Sequence, residues 1–274
     1  MDFCLVRLVL ILLLFPGEVL FAQTDEILFI GNSFTFGGAS RVVHDHGGVP
    51  GLVEALARSQ GKSLGTSMRA ISGYDWSDHL SNPATGKALR ALKWTWVVLQ
   101  DLSTRPTHVG DVRGFLQDGE ELSRRIARNS PGTGILLFET WARQPGVFYH
   151  RHPGNSFTGP GQMTNELHQA YGLLKDDLMV QNRNRDVRIA RIGTAFARIA
   201  ADYPEIRLEA PDHHHATTEG YYLAALVIDE TIYGQSVLGV PSGFFHGALT
   251  IPAEDAPRLQ KVADEVSAAP SRNE

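Results

Sequence analysis

The sequence predicts an α/β fold: a three-layer αβα sandwich with a mostly parallel central sheet. Three observations predict it. Short apolar runs alternate with longer stretches of helical spacing along most of the 274 residues. The strongest runs, Trp94-Thr95-Trp96-Val97-Val98-Leu99 and Gly134-Ile135-Leu136-Leu137-Phe138, are nearly continuous, as strands covered on both faces are. No stretch is rich enough in Pro, Gly or Ser to act as a linker, so residues 23–274 are expected to form one domain.

The first strand covers 27–30, an apolar run closed by Gly31. Residues 51–60 have helical spacing and stop at Gly61, and 64–71 alternate as a second strand does. A short helix is expected over 84–92, the third strand over 94–99, and a long amphipathic helix over 111–128. The fourth strand covers 134–138. Helix 162–180, strand 187–190 and helix 193–200 follow, and 217–232 form a long helix with an apolar face. Beyond Pro252, one more helix is expected over 256–268. The longest irregular stretch, 144–161, holds three Pro and four Gly, which suits a lid or rim.

Residues 4–15 are apolar apart from Arg7, and Leu20-Phe21-Ala22 ends on a small residue. That pattern reads as a signal peptide over 1–22, so export to the periplasm or the medium is expected. The run is shorter than the roughly 18 residues an uncharged membrane span needs, so no stable membrane insertion is expected after cleavage. Cys4, the single cysteine, lies inside this segment. The mature chain then has no disulfide, no Cys nucleophile and no Cys-ligated metal. The formal charge of −5 provides no basic footprint for nucleic acid.

The candidate chemistry begins at Gly31-Asn32-Ser33-Phe34-Thr35, directly after the first strand. A serine there stands at the carboxyl edge of the sheet, where open α/β folds keep their ligands. The small Gly and Asn permit a sharp turn that leaves the Ser33 N–H free. A serine nucleophile needs a base, and the base needs an orienting carboxylate. Asp212-His213-His214-His215, just before the long helix, supplies both types three residues apart. By spacing alone, a Ser-His-Asp triad and a zinc site built from a His pair and Asp212 stand equal. Candidate oxyanion donors are the N–H groups of Ser33 and Gly73, and the side-chain amide of Gln100 at the end of the third strand.

The order of these blocks resembles the SGNH (GDSL-like) serine hydrolases, from residue 27 to residue 225. Gly31-Asn32-Ser33 is similar to the serine block, with Asn32 where many members carry Asp. Ile71-Ser72-Gly73 is similar to the glycine block. Val97-Val98-Leu99-Gln100-Asp101 stands at the third block, with Gln100 in place of the usual Asn. His215-Ala216-Thr217-x-x-Gly220-x-Tyr222-Leu223-Ala224 is similar to the family's continuation of the last block, and it selects His215 over His213 and His214. The resemblance implies an SGNH/flavodoxin-like fold and a triad of Ser33, His215 and Asp212. It also implies an oxyanion hole from Ser33, Gly73 and Gln100, and no metal or organic cofactor. The implied activity is hydrolysis of short acyl esters, acetyl above all, on a small molecule or a glycan. An O-acyltransferase with the same triad and a non-catalytic glycan-binding domain are the alternatives. Asn32, Trp141 and Arg143 are candidate substrate contacts: Trp141 as a sugar-facing wall and Arg143 as a carboxylate contact, or both as a capped strand end. Gly154-Asn155-Ser156-Phe157-Thr158 repeats the first motif but follows no strand, and is read as rim loop. His44, Asp45 and His46 are read as loop residues at the cleft edge.

Overall fold

A computed structural model describes residues 24–144, 157–181 and 185–268. The expected signal segment, Cys4 and the repeated motif up to Ser156 lie outside the described residues. Among those described, five strands form one parallel sheet: β1 (Asp25–Gly31), β2 (Leu64–Ala70), β3 (Trp96–Leu99), β4 (Gly134–Phe138) and β5 (Val187–Ala190). Their order is β2-β1-β3-β4-β5. The order reverses direction between β1 and β3, and that switch point opens a crevice at the strands' carboxyl ends.

Alternation along the strands divides the core in two. Ile27 and Phe29 of β1 face one side with Val98, Leu136 and Phe138. They pack against α3 (Gly48–Ser59), α8 (Ile192–Asp202), α9 (Thr218–Tyr233) and α10 (Ala256–Ala268). Leu28 and Ile30 face the other side with Val97, Leu99, Ile135 and Leu137. That side is covered by α4 (Trp76–Ser81), α5 (Pro83–Leu89), α6 (Val112–Asn129) and α7 (Pro160–Gln181). Strand residues with period-two side chains and two covered faces require apolar residues at every position, which is why β3 and β4 read as continuous runs.

Two short helices, α1 (Ser33–Phe36) and α2 (Arg41–Asp45), follow β1. The structure adds α4, in a stretch for which the sequence pattern predicts no element; its start is fixed by a capping box between Asp75 and Asp78. It also adds a hairpin of β6 (Gly243–Phe244) and β7 (Leu249–Thr250). The other expected elements are present with ends shifted by a few residues, and α3 starts three residues early because Gly47, at φ +89°, turns the chain into it. No helix among the described residues is long and apolar enough to cross a membrane.

Candidate active site

Asn32 wires the turn after β1. Its backbone N–H donates to Gln100 Oε1 at 2.8 Å, its Oδ1 accepts the Phe34 N–H at 3.1 Å, and its Nδ2 donates to the Tyr74 carbonyl at 2.9 Å. Thr35 Oγ1 adds a second bond to Gln100 Oε1 at 2.9 Å. Ser33 is thereby presented at the first position of α1, capped by Asn32. Its carbonyl accepts the Gly38 N–H at 2.9 Å and, more weakly, the Tyr221 hydroxyl at 3.4 Å.

The histidine loop is wired as closely. Asp212 Oδ1 accepts the backbone N–H groups of His214 and His215 at 3.1 and 3.0 Å. Those bonds curl the chain so that Asp212 Oδ2 meets His215 Nδ1 at 2.7 Å. The opposite nitrogen, His215 Nε2, lies 2.7 Å from Ser33 Oγ. A carboxylate only accepts, so Nδ1 carries the proton and Nε2 keeps its lone pair toward the serine. Burial pushes the Asp212 carboxyl up, but the His215 side chain and the two backbone N–H groups outweigh it and hold the pKa at about 2. The aspartate is therefore ionised at neutral pH. The structure thus brings Ser33, His215 and Asp212 into one relay, with spacings within hydrogen-bond reach.

Gly73 forms the third position of the turn closed by the Tyr74 N–H on the Ile71 carbonyl, and its φ is +75°. A glycine there avoids the strain that a side chain would add. Neither the Ser33 nor the Gly73 N–H has a protein acceptor among the described residues. Asn32 ties the two together, since its amide spans from the serine turn to the residue after Gly73.

Gln100 requires a correction. Its Oε1 is taken by Asn32 and Thr35, its Nε2 by the Asp101 carbonyl, and the side chain is buried. The extra carbon relative to Asn carries the amide beneath the serine turn, where Oε1 props the turn and Nε2 is drawn to the Asp101 carbonyl. Trp141 also departs from expectation. It is wholly buried, stacked between Phe34 at 4.3 Å and Phe196 at 4.5 Å, and its Nε1 donates to the His214 carbonyl at 2.9 Å. It couples the serine helix to the histidine loop and presents no face to a sugar. Arg143 is buried too, its Nε and Nη2 donating to Ser103 Oγ at 3.2 and 3.1 Å. Asn32, 2 % exposed, is a structural member of the turn with both ends of its amide engaged.

His44 and Asp45 form an exposed pair on α2, and His46 stacks on Phe245 at 4.4 Å. They take no part in the relay. Among the described residues, the metal-type cluster is Asp212, His214 and His215, with ligand atoms within 4.8 Å of one another.

Two features escaped the sequence reading. An added Cβ on Gly38 would lie 2.9 Å from Ser33 Cβ and 3.0 Å from His215 Nε2, so only glycine lets serine and histidine meet. The signal was the Gly37-Gly38 pair just past the serine block. Below the Gly73 loop, buried Asp101 accepts the Trp76 N–H at 2.8 Å, and Arg105 links it to Asp75 and Asp118. Burial raises the Asp101 carboxyl to about 7, against the pull of Arg105 and the N–H groups of Leu102 and Trp76.

No family model matches the chain, and no curated protein matches its sequence significantly. Solved structures do match. A DUF4886 family protein from Bacteroides uniformis superposes with a TM-score of 0.68 at 17% identity, over 92% of this chain and 98% of that one. A protein from Slackia heliotrinireducens assigned to the SGNH hydrolases gives 0.58 at 23% identity, over 77% and 100%. An acetyl-xylooligosaccharide esterase from Geobacillus stearothermophilus gives 0.54 at 16% identity, over 74% and 92%. The likeness is one of architecture: the chain has the fold of the SGNH hydrolases.

Proposed function

We propose that the protein is an exported serine esterase that removes short acyl groups, acetyl above all, from carbohydrate. The observation that carries the reading is the relay from Asp212 through His215 to Ser33, with 2.7 Å at each step. His215 Nε2 accepts the Ser33 proton as Oγ attacks the ester carbonyl. The oxyanion that forms is held by the N–H groups of Ser33 and Gly73. Collapse expels the alcohol, which takes its proton from His215, and leaves an acyl-serine. Water then loses a proton to His215, attacks the acyl carbon, and the acid departs with Ser33 reprotonated. Asp212 stays ionised throughout and stabilises the imidazolium.

The compartment rests on the apolar stretch at residues 4–15. Carbohydrate as the acylated substrate rests on likeness to an acetyl-xylooligosaccharide esterase, and an analogy of fold does not fix substrate. The test is release of p-nitrophenol from the acetyl ester and of acetate from acetylated xylo-oligosaccharides, by wild type and Ser33→Ala. Loss of at least about a thousandfold in Ser33→Ala is expected. An unimpaired Ser33→Ala would reject the mechanism, and preference for a long-chain ester over the acetyl ester would reject the substrate class.

A further inference from the structure

We propose that Asp212, His214 and His215 bind a borderline-soft divalent cation, Zn²⁺ in the test below, and that its binding reversibly inhibits the enzyme. The inhibitory half rests on the reading of His215 as the general base. The geometric half stands on its own. One ligand atom from each residue lies within 4.8 Å of the other two. Two imidazoles and a carboxylate are a donor set that zinc accepts and that magnesium and calcium, which prefer oxygen alone, do not.

The local backbone explains why neighbours in sequence converge. Asp212 Oδ1 takes the N–H groups of both His214 and His215, which draws the two residues around one carboxylate. The rings lie 4.0 Å apart between centroids. His214 Nδ1 lies 3.5 Å from Asp212 Oδ1, and His215 Nδ1 lies 2.7 Å from Oδ2. His213, at φ +64°, is outside the set. The cluster is open to an ion, since the Asp212 side chain is 41 % exposed and that of His214 34 %.

His214 has no part in the serine relay. Its Nδ1 faces the Asp212 carbonyl at 3.1 Å, so the ring binds an ion through Nε2, or through Nδ1 once the ion displaces the proton held there, as at His215. Ligation stops catalysis through either nitrogen of His215. An ion on Nε2 takes the lone pair that receives the Ser33 proton. An ion on Nδ1 displaces the proton that bonds to Asp212, which leaves the ring without its orienting contact. In both cases removal of the ion restores the base.

The experiment has two arms. Calorimetry measures Zn²⁺ and Mg²⁺ binding to Ser33→Ala, alone and combined with His214→Gln or His213→Asn. Esterase assays measure Zn²⁺ inhibition of the same His variants carrying Ser33, each relative to its own activity in chelator. Zinc binding, inhibition reversed by chelator, and no effect of magnesium are expected. His214→Gln should weaken both binding and inhibition by on the order of tenfold or more, and His213→Asn should leave both as in the parent. Equal zinc affinity with and without the His214 imidazole would overturn the site. Zinc bound through His214 with undiminished turnover would overturn the inhibition. A protein that binds zinc this way but never hydrolyses an ester would refute the catalytic reading and the inhibitory half with it, and leave the site standing.

Discussion

Gly38→Ala tests the relay without altering any group in it. The new Cβ would sit 2.9 Å from Ser33 Cβ and 3.0 Å from both Cδ2 and Nε2 of His215. Ordinary carbon contacts lie at about 3.5–4.0 Å, so serine and imidazole must separate by roughly half an ångström or more. The Ser33 Oγ–His215 Nε2 distance starts at 2.7 Å. An added half ångström brings it to about 3.2 Å, the outer limit of useful proton transfer. A misplacement of 1 Å costs on the order of a hundredfold, so kcat should fall roughly tenfold to a hundredfold. Stability should barely change, because Gly38 is exposed and its φ is not left-handed. The assay is kcat and KM on p-nitrophenyl acetate beside thermal unfolding. Full activity in a folded Gly38→Ala would refute the claim that this contact governs proton transfer.

Gln100→Leu orphans the Asn32 N–H and the Thr35 hydroxyl, at about 1–3 kcal/mol for each buried group, so Tm and kcat should fall together; a large loss of kcat at unchanged Tm would instead mark Gln100 as an oxyanion donor. Trp141→Phe keeps an aromatic ring between Phe34 and Phe196 but deletes the N–H to the His214 carbonyl; kcat should drop severalfold with KM little changed, and an unaltered kcat would show that the histidine loop holds itself. Glu230 is raised to about 8 by burial first, then by the Asp264 and Asp229 carboxylates. The fold favours its protonated form, so its contribution is fully present below the unfolded pKa near 4.5 and is lost as pH rises toward 8. Glu230→Gln should therefore raise Tm at pH 8 more than at pH 5, and an equal change at both would exclude this carboxyl as the source.

The sheet was legible because it obeys a simple constraint: a strand covered on both faces must be apolar throughout, and β3 and β4 are. Ser33 could be singled out because it stands just past a strand end, and Asp212 with the histidines because they stand at a helix entry; the choice of His215 among the three histidines came from the family resemblance, since spacing alone leaves it open. Helix α4 was missed because its start depends on Asp75 and Asp78 capping each other, while its anchor, Trp76, is an isolated apolar residue with no period to read. Gln100 and Trp141 were assigned chemistry for a related reason. Both stand at the carboxyl edge, where a polar or aromatic side chain reads equally well as a ligand contact or as a prop. The choice turns on side-chain direction, and that is set largely by partners distant in sequence: Thr35, 65 residues from Gln100, and His214, 73 residues from Trp141.

That ambiguity has a physical origin. A serine relay needs two loops from distant parts of the chain held to within a few tenths of an ångström, and the loops have little core of their own. Polar residues at the sheet edge must therefore hold the turns as well as meet substrate. Here Gln100 and Asn32 hold the serine turn from below, Asp101 and Arg105 hold the glycine loop, and Trp141 joins the serine helix to the histidine loop. In the proposed reaction, with Gln100 engaged beneath the turn, the oxyanion is met by the backbone N–H groups of Ser33 and Gly73. Those groups are as rigid as the props beneath them. Substitutions among the props should then lower kcat more than they raise KM, because they disturb the reacting geometry and leave the exposed surface that meets the substrate unchanged.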